Sequence, residues 1–505
     1  MYHVQCDEAL PDCRNCMVYG RPCPGYRQDT IFRHETQKVK QLMQRATQSP
    51  TESPRSKRSD SLDSARQSPS PSSSSSLSLR RLDDSTWEER AVCYFFDQYT
   101  TRDQGDECLS HLGFLPSLYA VCRDGGRGGS VSSCLQWAVG ATALVTLSNQ
   151  VKAPSLMLQA RDRYGMALRG LRQALESREQ AVKDETFSTM VLLSLFEDIS
   201  GDRKGLTSSH TAGFEFLVKL RGESQLGHAQ GRDLFSFAYA HTHIEILALG
   251  ERPRYNTDWI LEQLNKSDPI HGLMLIASKL SQLALETSSI PQPLDANLLR
   301  RVFEWHDAGR AMDTELTQWS EALPEQWLPL VVDAPTDGSL LTYQRISIAG
   351  IWIYYWAIRL IVQKIMAELS RTLASATGDG ALLQGEQDAL GICHEMISAT
   401  CRSIPFAFGH IDLQGNPIPP PPEGKPRIRG FLGYIMLWPL WYILSCGMAT
   451  PAQTDQIRSA LGQVGSALGI RLALMLAQEC DMPTTAPSIP DLSQFVPVMG
   501  QFSQM

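Results

Sequence analysis

LLSLFEDISGDRKGLTSSHTAGFEFLVKLRG, residues 192–222, decides how the chain folds. Apolar side chains recur at helical intervals from Leu192 to Ile199, pause through a glycine- and serine-containing loop, and resume from Phe214 to Val218. The pattern is helix, loop, then His210-x-x-Gly213 leading into a second helix that stops at Arg221-Gly222. Gly213 is placed where two helices must approach closely, and Gly222 where a left-handed residue can end a helix. His210, at a helix start, reads as a cap or a core hydrogen-bonder rather than a catalyst. Nothing in the stretch alternates with the period of two that a strand requires.

The same period extends outward in both directions. Residues 134–148 (CLQWAVGATALVTLS), 156–176 (LMLQARDRYGMALRGLRQALE), 184–199 (DETFSTMVLLSLFEDI) and 342–369 all read as helices, the last with Ile351, Tyr355, Ile358 and Val362 on one side. Upstream, Ser85-Thr-Trp-Glu88 has capping-box spacing ahead of WEERAVCYFFDQYT. Downstream, residues 457–478 (IRSALGQVGSALGIRLALMLAQ) form an amphipathic stretch. Strand patterns joined by Asn-Gly or Asp-Gly turns are not read anywhere, so residues 85–505 are expected to be an all-α body. Residues 431–448 (FLGYIMLWPLWYILSCGM) are eighteen uncharged residues, at the lower limit for a membrane span. Pro439 at their centre and two glycines favour a kinked, buried helix, and no membrane association is expected.

Composition fits that body. Of 505 residues, 43% are apolar and 20% charged, which supplies a large core without staples. The net charge of −8 is unevenly distributed: residues 1–81 carry 13 Lys and Arg against 8 Asp and Glu, and the remainder carries 33 against 46. A mildly basic head on an acidic body suits a nucleic-acid-facing N-terminus. No secretory signal is expected from the polar, acidic opening MYHVQCDEAL, and the cysteines beyond residue 23 are scattered singly, which suits reduced, buried thiols rather than a disulfide framework. Residues 47–81 are dominated by Ser and Pro, lack aromatics, and cannot bury enough surface to offset their ordering entropy. They are expected to be a disordered tether with Ser-Pro phosphate acceptors and a short basic patch, Arg55-Ser-Lys57-Arg58, suited to nuclear import. Before them, residues 31–46 carry about two turns of amphipathic pattern, enough for a short dimerising or linker helix.

The chemistry-bearing feature lies at the start. Cys6-x6-Cys13-x2-Cys16-x6-Cys23 places four of the twelve cysteines in eighteen residues, among the turn formers Pro11, Gly20, Pro22, Pro24 and Gly25. Thiolates two apart can reach one tetrahedral zinc ion, and four soft ligands suffice to close it. Cys6, Cys13, Cys16 and Cys23 are therefore the candidate metal ligands, in a small module spanning residues 1–30. A linker over residues 31–84 joins it to the body.

With Asp7 after its first cysteine and Pro11 two before its second, this segment resembles the last two-thirds of the fungal binuclear zinc cluster. That family's six cysteines follow C-x2-C-x6-C, a loop, then C-x2-C-x6-C, and hold two zinc ions. Its third to sixth cysteines correspond to Cys6, Cys13, Cys16 and Cys23, and its first pair would fall before Met1. The family's recognition helix, which sets Lys or Arg against guanine edges in the major groove, is represented only by His3-Val4-Gln5. Either the protein in the cell carries an upstream pair, which the continuity of HVQCDEALPDCRNC favours, or it regulates without reading DNA. The order of cluster, Ser/Pro linker and long helical domain is also similar to fungal zinc-cluster transcription factors. So are YFFDQYTTR (94–102), residues 192–222 and LWPLWYIL (437–444). The resemblance implies a nuclear transcriptional regulator that binds zinc and DNA, pairs as a homodimer on repeated half-sites, and contacts other transcription proteins.

Enzyme motifs fail in the body. Asp83-Asp84 lacks a third acid, since position 87 is Trp. His394-Glu395 lacks its second histidine, since position 398 is Ser. DGGRGGS (124–130) has the wrong glycine spacing for a dinucleotide loop. His241, His243 and Glu245 sit at intervals of two, which do not share a helix face. The chain is expected not to be an enzyme. Its second reading is an interaction protein that keeps the helical body and a partial zinc knuckle.

Overall fold

A computed structural model describes residues 84–100, 112–124, 130–203, 210–249, 261, 269–291, 293–333, 338–422 and 425–478. All of them lie in a unit that begins at Leu79. The four N-terminal cysteines, the 31–46 helix, the Ser/Pro tether and the 124–130 loop except its first and last residues lie outside the described residues.

The first layer is built on α1 (Asp84–Tyr99), α2 (Leu115–Asp124), α3 (Ser130–Val151), α4 (Pro154–Leu175), the single turn α5 (Arg178–Ala181), α6 (Asp184–Ser200) and α7 (Thr211–Arg221). A 3-10 turn at Glu223–Gly227 leads to α8 (Ala229–Leu249), α9 (Pro269–Thr287) and α10 (Ala296–Glu321). A small hairpin, β1 (Leu330–Asp333) and β2 (Ser339–Thr342), precedes the two longest helices, α11 (Ile346–Thr377) and α12 (Gly380–Ala407). The described residues end with α13 (Gly430–Ile435), α14 (Leu437–Ser445), α15 (Pro451–Ala467) and α16 (Arg471–Gln478). The all-α expectation holds: the sheet is two four-residue strands.

Two helices organise the packing. α3 is apolar on all sides and is covered by α1, α2, α4 and α6. α11 is covered by α9, α10, α12, α13 and α14. It is long and apolar enough to cross a membrane, but 78% of its apolar window is buried inside the protein, as a core helix requires. The four residues expected on its inner side, Ile351, Tyr355, Ile358 and Val362, are all buried. Local chemistry starts the peripheral helices. Asp295 and Asp379 accept hydrogen bonds from Leu298 N–H (2.7 Å) and Ala381 N–H (2.8 Å). Thr450 and Gln453 form a full capping box with Pro451 in the first turn of α15.

Several sequence expectations shift in detail. α1 begins at Asp84, so Ser85 lies inside the first turn and not ahead of it. The apolar run after residue 430 is broken at Met436, and Pro439 stands in the first turn of α14, where its missing N–H is tolerated. The amphipathic stretch 457–478 is two helices separated by residues 468–470. The hairpin went unread although Asp337-Gly338 lies directly before β2. Gly213 allows the close approach expected of it, whereas Gly222 ends α7 with a positive φ but not in the left-handed conformation. A Cβ on Gly213 would come within 2.8 Å of Met190 Sδ, and Gly222 has φ +65° with ψ −161°, a mirror-extended conformation that only glycine adopts readily. Cys122, Cys134, Cys393 and Cys401 are buried free thiols, with burial raising Cys134 to about 11 and Cys393 and Cys401 to about 12. Cys93 departs from the expectation by being exposed.

Candidate functional site

The polar chemistry of the body is concentrated where α6 ends. α6 is almost wholly buried, yet its last two turns carry Ser194, Glu197 and Asp198. Asp198 is fully buried and is held from two sides: Arg203 Nη1 donates to its Oδ1 at 2.9 Å and Tyr434 Oη donates to its Oδ2 at 2.7 Å. Burial, together with the Asp198 carboxylate alongside, holds the Tyr434 phenol well above its ordinary range, so the hydroxyl stays a donor. Tyr434 comes from α13, 236 residues further along the chain, and this bond ties the first layer to the C-terminal helices.

Glu197, next to Asp198, is the acceptor of a second set. Tyr164 Oη donates to its Oε1 at 2.7 Å, and His210 Nε2 lies 3.0 Å from the same oxygen. His210 occupies the N-cap position of α7 but makes no capping bond with its side chain, so of its two expected roles it takes the core one. Arg221, at the end of α7, pairs with Asp184 at the start of α6, and its guanidinium lies 5.1 Å from the Phe187 ring centroid. The Arg221-Gly222 ending therefore fixes how α7 packs on α6.

His241 and His243 are both buried on α8 and serve different neighbours. His241 Nε2 is 3.4 Å from Ser194 Oγ, while His243 Nδ1 is 3.2 Å from Tyr239 O and its ring stacks on Tyr239 at 3.8 Å. Burial keeps His241 well below the usual imidazole range, with Arg203 and His210 nearby adding to the effect, and lowers His243 to about 4. Neutral imidazoles can ligate metals, but no group of three His, Cys, Asp or Glu side chains among the described residues could hold an ion.

A cavity of about 170 Å³ opens beside Asp198, Arg203 and His241. Its other walls are mainly apolar, with Leu273 and Met274 on one side and Tyr354, Phe431 and Trp438 on another. The sequence singled out His241 without joining it to any cavity. It gave no sign of Arg203 or Tyr434, because one follows the end of α6 and the other lies inside an apolar run.

Residues 130–274 match a family described as the fungal specific transcription factor domain. The match takes in α3 to α8 and the first turns of α9, and with them Asp198, Arg203, His210 and His241; Tyr434 and Trp438 lie beyond it. A curated relative, an uncharacterized protein of Emericella nidulans, is 32% identical over 109 residues, covering 22% of this chain and 23% of that protein. The chain thus spans about a quarter of the length of the relative it matches. No solved structure matches the chain.

Proposed function

We propose that the protein is a transcriptional regulator. Its helical body would be the regulatory domain, and its N-terminal cysteine segment would bind zinc and, through that module, DNA. The observation that carries the reading is the match of residues 130–274 to the fungal specific transcription factor domain, in an all-α body. Cys6, Cys13, Cys16 and Cys23 are the residues that would hold zinc, and four thiolates are a complete tetrahedral donor set. The metal would supply folding energy to a segment too short to form a core of its own. The basic balance of residues 1–81 would add phosphate contacts. The reading assigns the body no catalysis, places the protein in the nucleus, and allows pairing into a homodimer and contact with other transcription proteins.

The second reading, a regulator that acts through partners without binding DNA itself, is favoured by one observation. Tyr2, His3, Val4 and Gln5, directly before Cys6, include no Lys or Arg that could read a guanine edge. The two are separated by selecting from random-sequence duplex DNA with the full-length cellular protein. The DNA-binding reading expects a recovered consensus, affinity that falls steeply between 50 and 200 mM salt, and loss of binding on zinc chelation. Recovery of no consensus, with weak binding indifferent to chelation, leaves the partner reading.

A further inference from the structure

We infer that the cavity beside Asp198 is a binding site for a neutral, apolar molecule of about single-ring size. This goes beyond the regulatory reading by naming what the helical body takes in, and it stands on the cavity whether or not the protein binds DNA.

Size comes first. The cavity measures about 170 Å³, and a cavity of about 150 Å³ lined by Leu, Ile and Phe admits benzene. A ring with one short substituent is the matching class. Charge comes second. Asp198 and Arg203 both reach the wall, but they neutralise each other at 2.9 Å, and the second carboxylate oxygen is taken by Tyr434. An ionic ligand would surrender its hydration and find no uncompensated charge in return. Polarity comes third. Trp438 is 3% exposed, and its indole Nε1–H has essentially no accessible surface, so no donor of this residue faces the cavity. It lines the cavity beside Tyr354, with the two rings tilted against each other and centroids 5.7 Å apart. The two aromatic rings would pack against the ligand's ring.

The site also spans the fold. Ser236 and His241 come from α8, Ile351 and Tyr354 from α11, Phe431 from α13 and Trp438 from α14. An occupant therefore contacts helices on both sides of the Asp198–Tyr434 bond.

The test titrates the full chain by calorimetry with three probes: acetophenone, its shape-matched hydrocarbon α-methylstyrene, and benzoate. Saturable binding of acetophenone, with benzoate inert, is expected. α-Methylstyrene should saturate too, since the walls it meets are mainly apolar. Ala240→Leu, which fills the cavity from α8, should abolish binding of both neutral probes in a variant whose thermal midpoint shows that it is folded. The inference is overturned if no neutral probe saturates, if benzoate binds as well as acetophenone, or if folded Ala240→Leu binds as before.

Discussion

Two ion pairs at the end of α6 share one bond length and little else. Arg203–Asp198 and Arg161–Asp202 both measure 2.9 Å, but the first pair is 4% and 0% exposed and the second 55% and 43%. Water screens the exposed pair and offers each partner an alternative, so it contributes little. The buried pair has lost its hydration, and each charge depends on the other. Forming such a pair need not add net stability, whereas removing one partner strands a charge in the interior. The lesson is that Asp198 acts through position more than through strength. It fixes where α13 docks, because Tyr434 must reach it, and it cancels the charge that would otherwise face the cavity.

The comparison is sharpest at Asp198→Ala. That change leaves the buried Arg203 without its carboxylate and Tyr434 without its acceptor, and it should destabilise the fold by about 3–5 kcal/mol in denaturant unfolding. A loss below 1 kcal/mol would erase the distinction between the two pairs.

Next in size is pH. His241 and His243 are buried and neutral in the fold, with pKa values below the 6.5 of the unfolded chain. Their depressed folded pKa values mean that the unfolded state binds more protons below pH 6.5. Stability is therefore full above that pH and falls as the pH drops towards 4, by up to about 1.4 kcal/mol per unit for each histidine. Between pH 7.5 and 5.5 His243 should cost about 1.4 kcal/mol, His241 adds to it in the same direction, and His243→Phe should remove the first share. An unchanged slope would show that His243 does not carry its share.

Close packing near the same junction gives a smaller effect. A Cβ on Gly430 would stand 2.8 Å from Cζ of the buried Tyr99 ring, while Gly430 N–H donates to Gln98 Oε1 at 3.0 Å. Neither neighbour is a free chain end, so Gly430→Ala should cost about 1–3 kcal/mol by thermal unfolding. The smallest effect closes the comparison. Arg161→Ala should change stability by no more than about 1 kcal/mol, and by less as salt rises.

How much of this the sequence disclosed depends on how local the cause is. α6 and α7 were legible almost to the residue because their apolar period and the Arg221-Gly222 ending are local signals. One inner side of α11, formed by Ile351, Tyr355, Ile358 and Val362, followed from its apolar period. The hairpin at residues 330–342 was missed because its strands are four residues long, too short for alternation to stand out beside an overlooked Asp337-Gly338. The polar cluster was not legible at all. Asp198 and Tyr434 are joined only by the docking of α13, and a tyrosine inside FLGYIMLWPLWYIL looks like one more apolar residue. The cysteine segment stands apart from both, since Cys6, Cys13, Cys16 and Cys23 lie outside the described residues and rest on spacing and resemblance.

The most direct measurement of the central claim bypasses that segment. The full chain, fused to a heterologous DNA-binding module, is tethered upstream of a reporter in a fungal host, with the module alone as reference. The account predicts that the tethered protein raises or lowers reporter output, and that Asp198→Ala abolishes the change in step with its loss of folded protein. A folded, nuclear fusion that leaves the reporter at the level of the module alone would contradict a role in transcription.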